Sequence, residues 1–97
     1  MNPKQKALIE KLNSKLDQAQ ARLDLLTAKA READASGRLR LQEEMDNIRK
    51  RKNDLEEQVD ELGSAGDQAW EDLKDGAEAG WKALADAVDR AASRFGQ

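Results

Sequence analysis

The chain is expected to be all-α, a long antiparallel helical hairpin of the coiled-coil type. Three observations carry this. Apolar residues recur at spacings of three and four from Leu8 onward, two glycines stand close together at Gly63 and Gly66 with only Ser and Ala between, and the large apolar residues after that point return at intervals of 11. The composition agrees: of 97 residues 38% are apolar and 38% charged, with three aromatic side chains in all, too lean for a broad globular core and typical of long helices.

The first element is expected over residues 1–62. Asn2 before Pro3 reads as an N-cap followed by proline at the first helical position, where its missing N–H costs nothing. From Pro3 to Leu62 the stripe passes through Leu8, Leu12, Leu16, Ala19, Leu23, Leu26, Ala30 and Ala33. It then continues through Gly37, Leu41, Met45 and Ile48 without losing phase. A single interior glycine costs roughly 1 kcal/mol, which a long helix absorbs, so one continuous helix is expected. The alternative is a three-helix bundle with a second turn near Ser36 and Gly37. Between Ile48 and Leu55 every residue is polar, which weakens the middle of the seam.

Residues 63–66, Gly-Ser-Ala-Gly, form the turn, with Gly63 suited to a left-handed position after the helix and Ser64 or Asp67 suited to cap the next one. The last element is residues 67–97, with a helix from Asp67 to Phe95 that Gly96 ends. Trp70 and Trp81, Leu73, Leu84 and Phe95, and Ala77 and Val88 are spaced by 11, about 3.67 residues per turn, so they hold one face of a helix. Beside them lies a stripe of small residues including Gly76 and Gly80. Together the two stripes span about half the circumference, and the tail is expected to contact two neighbours. Gly76 and Gly80 read as a small-xxx-small pair for close helix packing in water, because Glu71, Asp72, Lys74, Asp75 and Glu78 keep this helix out of hydrocarbon.

Functional chemistry is excluded more readily than assigned. There is no Cys and no His, hence no disulfide, thiolate metal site, imidazole base or Glu-x-x-His di-iron pattern. Ser14, Ser36, Ser64 and Ser93 have no histidine to activate them, and the pairs Glu43/Glu44 and Glu56/Glu57 diverge around a helix. No enzyme activity, catalytic residue, cofactor or metal is expected. Residues 1–62 carry 13 acidic and 13 basic side chains and residues 63–97 carry 7 and 4, for a net charge of -3. Arg49, Lys50, Arg51 and Lys52 form the only basic run, but four consecutive helical positions point around the helix and acidic residues flank them, so nucleic acid is not an expected partner. Favourable i,i+4 pairs are expected at Asp46–Lys50, Glu78–Lys82 and Asp86–Arg90. No leader or membrane-spanning run is present, which makes a soluble cytoplasmic protein the expectation.

What remains is association. A tail covering residues 35–62 would leave Leu8, Leu12, Leu16, Leu23 and Leu26 in water, which points to a homo-oligomer or a protein partner. The interaction residues are then Trp70, Leu73, Trp81, Leu84, Val88 and Phe95 of the tail and Leu12, Leu16, Leu23 and Leu26 of the first helix. The rival reading uses the same tail residues on a lipid or granule surface, against which stands the tail's excess of acidic side chains.

The stretch from Leu55 to Phe95, LEEQVDELGSAGDQAWEDLKDGAEAGWKALADAVDRAASRF, resembles a group of small bacterial coiled-coil proteins, some described as stress-response proteins. Their usual form is a charged helix, a short Gly/Ser/Ala link and a tail of the type AWEDLK-G-E-AW-L-A-A-RF. Ala69 to Lys74, Gly76, Trp81, Leu84, Ala87, Ala91, Ala92, Arg94 and Phe95 match that tail, while Gly80 departs from it and an early tryptophan in the first helix is missing. The resemblance implies a helical, cytoplasmic, non-enzymatic bacterial protein, and it transfers no activity or binding residue.

Overall fold

A computed structural model describes residues 1–95. It is all-α: α1 spans Pro3–Glu32, α2 spans Ala35–Ser64 and α3 spans Asp67–Phe95. Each is close to 45 Å long at 1.5 Å per residue, which matches the 50 × 17 × 17 Å extents of the molecule. The three therefore lie side by side. The pairings Thr27 with Met45, Gln58 with Gly76 and Arg22 with Asp89 give an up-down-up order, in which α2 is antiparallel to both neighbours and α1 runs parallel to α3.

The expected hairpin is present as α2 and α3, but the expected single helix from Pro3 to Leu62 is folded in two, as in the three-helix alternative. The break falls at Ala33 and Asp34, just before Ser36 and Gly37, which are themselves helical. Both break residues are extended, with ψ of 155° and 173°. Asp34 caps α2 by accepting the Gly37 N–H at 2.8 Å, and Arg38 reaches back to donate to the carbonyls of Ala30 and Ala33 at 3.3 and 3.2 Å. One side chain thus starts α2 and another closes α1. The driving force is burial. Folding back covers Leu12, Leu23 and Leu26, each worth roughly 1.5 to 3 kcal/mol, against a few helical hydrogen bonds worth about 1 kcal/mol each that the caps partly replace.

At the start of α1, Asn2 and Gln5 form a reciprocal capping box around Pro3. The second turn is shorter than residues 63–66. Gly63 and Ser64 belong to α2, Ala65 ends it in an extended conformation, and no described glycine has positive φ, so Gly63 is not a left-handed cap. Nor does Ser64 cap α3: its hydroxyl donates to the Asp60 and Glu61 carbonyls, and Asp67 is already the first residue of the helix. Gly96, expected to end the tail, lies outside the described residues.

The core runs the length of the bundle as layers contributed by all three helices, from Leu12 and Trp70 at one end to Ala30, Leu41 and Ala91 at the other. In the polar interval of α2 the half-buried residues are Arg51 and Lys52, whose long stems can cover apolar surface while their charged ends reach water. The leucine stripe that suggests self-association is internal: Leu12, Leu23 and Leu26 are buried, and Leu8 and Leu16 are half-buried against the same core.

Candidate functional site

The residues that sequence reasoning singles out meet on α3 and the two helices it lies between. α3 segregates apolar from polar side chains more sharply than α1 or α2, because its small residues widen the apolar face until it fits the groove between two helices. Trp70, Leu84 and Val88 are buried there, while Leu73, Trp81 and Phe95 lie at the margin, half-covered. The tail has two neighbours in the same chain.

Toward α1, the two tryptophans differ. Trp70 is only 4% exposed and sits where Gln5 Nε2 donates to Asp67 Oδ1 at 3.4 Å, tying the two N-termini together. Trp81 is half-buried, with the ammonium groups of Lys15 and Lys11 at 4.7 and 5.2 Å from its ring centroid. Its indole N–H is enclosed without an acceptor. A cleft of about 70 Å³ beside it is floored by Leu84 and Val88 and rimmed by Lys15, Gln18 and Arg22. Arg22 closes its far end through an ion pair to Asp89 at 2.6 Å.

Toward α2, the glycines have a specific use. A Cβ on Gly80 would stand 2.6 Å from Gln58 Oε1 and 3.6 Å from Leu55 Cδ1, and one on Gly76 would stand 3.7 Å from Gln58 Nε2. Gln58 also donates weakly to the Gly76 carbonyl at 3.4 Å. The small-xxx-small pair therefore accommodates a glutamine side chain, and not the backbone of a neighbouring helix. Because the obstruction is the mobile end of Gln58, Gly76→Ala and Gly80→Ala are each expected to stabilise the protein by up to about 1 kcal/mol through helix propensity. Thermal unfolding checks this, and Gly80→Leu, which must displace Leu55, should instead lower Tm.

The basic run is dispersed as its spacing requires. Arg49 pairs with Asp46 at 3.2 Å, Lys52 pairs with Glu56 at 3.1 Å, and Arg51 turns toward α3 beside Ala87. Asp46 thus takes Arg49, three residues on, in place of the expected Lys50, while Asp86–Arg90 forms at 3.7 Å. A groove of about 640 Å³ lies between α1 and α2 near their turn and is lined by Ala30 and Met45. Its arginines are engaged at Arg38 and Arg49, by carbonyls and by Asp46. Lys74 is raised above the ordinary lysine value of 10.5 chiefly by its hydrogen bond to Glu71, and it lies at the surface, charged at neutral pH. Among the described residues no polar or charged residue is buried, no group of three metal-ligating side chains is assembled, and no helix is long and apolar enough to cross a membrane.

Sequence reasoning missed Gln58, Lys11 and Lys15. The signals were present: a glycine pair four apart needs something to fill it, and lysines at i,i+4 on the edge of an apolar stripe can cover an aromatic ring. No protein-family model, curated protein or solved structure matches the chain.

Proposed function

We propose that this chain is a non-enzymatic structural protein that acts by helix association, with α3 as the clamp that holds α1 and α2 together. The observation that carries the reading is the use of the tail's strongest apolar residues, Trp70, Leu84 and Val88, as the shared core of the other two helices. Self-assembly with a second copy belongs to the same reading, and the resemblance of residues 55–95 adds a stress-related role in a bacterial cytoplasm.

A peripheral lipid- or granule-surface binder is the second reading, and one observation favours it: Trp81 is only half-buried, with two lysines standing over its ring. A headgroup boundary would offer an anionic surface to those lysines and cover the ring. Tryptophan fluorescence separates the two. In a Trp70→Phe variant, which leaves Trp81 as the reporter, the emission should stay where it is in buffer when vesicles of phosphatidylcholine or phosphatidylglycerol are added. Red emission that moves to the blue with vesicles would replace the structural reading by the surface one.

A further inference from the structure

We propose that the α1–α2 turn is a hinge through which two copies of this chain exchange α1, forming an elongated antiparallel dimer. This rests on the self-assembly reading above and supplies its route. The apolar stripe crosses the turn in helical phase, since Ala30, Ala33, Gly37 and Leu41 succeed one another at spacings of three and four. Nothing in the backbone demands the break: no proline lies near it, and no residue there has positive φ. Changing ψ at Ala33 and Asp34 from extended to helical joins α1 and α2 into one helix of about 90 Å.

The stripe of an extended α1 is then uncovered, and the surface that fits it is the α2–α3 groove of another copy, which is the groove it fills in its own chain. Every apolar contact that α1 makes in the closed bundle recurs between chains while those of α2 with α3 stay within each chain, so the exchange loses little burial and closes with two-fold symmetry. The joined helices would cross at residues 33 and 34, placing α1 of each beside α2 and α3 of the other. What holds the closed form is local: the Asp34 carboxylate on the Gly37 N–H and the Arg38 guanidinium on the α1 carbonyls. Concentration opposes these contacts, because they favour one chain while the exchanged form needs two.

Two variants of the full chain test this. In Asp34→Ala with Arg38→Gln both holds are removed and helix formers take their place, so dimerisation should tighten by roughly 10- to 30-fold over the parent chain in sedimentation equilibrium. Small-angle scattering should show the dimer growing in length, toward about twice the 50 Å of the monomer. Ala35→Pro places proline at the first position of α2, where it suits the extended Asp34 and forbids a continuous helix. Added to the double variant it should return the protein to monomer, and alone it should leave helicity and Tm intact or raised. A double variant that stays monomeric at hundreds of micromolar overturns the exchange. A dimer that survives Ala35→Pro also overturns it, while leaving self-assembly through outer surfaces standing, and the vesicle experiment judges the structural reading independently.

Discussion

Leu12→Ala is expected to destabilise the protein by about 2 to 5 kcal/mol and to lower Tm by roughly 10 to 30 °C. Leu12 is completely buried although it lies in the part of the chain that a hairpin would leave in water. Its cost is therefore a direct measure of closure. In a hairpin with a free first half the same substitution would remove an exposed side chain and change stability by no more than about 0.5 kcal/mol. In the closed bundle it leaves a cavity in the core that the three helices share. Urea unfolding followed by circular dichroism reads the difference, and a midpoint equal to the parent's would mean that α1 does not contribute to a common core.

Trp70→Ala should cost about 3 to 5 kcal/mol, a large fraction of the roughly 5 to 15 kcal/mol that holds a domain of this size. Trp81→Ala should cost markedly less. Trp81 is half-exposed, removing it also removes an enclosed N–H with no acceptor, and the two lysines above it contribute on the order of 0.5 to 1 kcal/mol each at such a site. The ratio matters more than either value. Equal losses would place both rings in equivalent environments, contrary to the difference between a 4% exposed indole and a marginal one.

These two residues also show what the sequence does and does not disclose. The 11-residue recurrence correctly puts Trp70 and Trp81 on one face of α3, and the breadth of that face implies two neighbours, which the bundle supplies. Periodicity says which residues share a face but not how deep each sits, so the difference between the rings emerges only from the positions of α1 and its lysines. The turn at Ala33 and Asp34 is signalled only by the alternative break at Ser36 and Gly37, and is outweighed for a related reason. A break that preserves helical phase leaves no trace in the spacing of apolar residues, and its markers, an Asp three residues before a glycine and an Arg four residues after the Asp, occur in uninterrupted helices as well. At the other turn the glycines point to the right place, though Gly63 lies within α2 in helical conformation and Ala65 makes the exit. The leucines of α1 do need cover, as their stripe implies. That cover is the same chain, because two residues of extended backbone bring them back to it.

The closure of α1 onto α2 is tested most directly by a distance. Spin labels at Asn13 and Asn53, both exposed, flank the turn on helices that lie side by side. With adjacent axes 8 to 10 Å apart and a few residues of offset, dipolar spectroscopy on dilute protein should give a separation below about 25 Å. A dominant distance of about 60 Å, the length of 40 residues in one straight helix, would contradict the closed bundle.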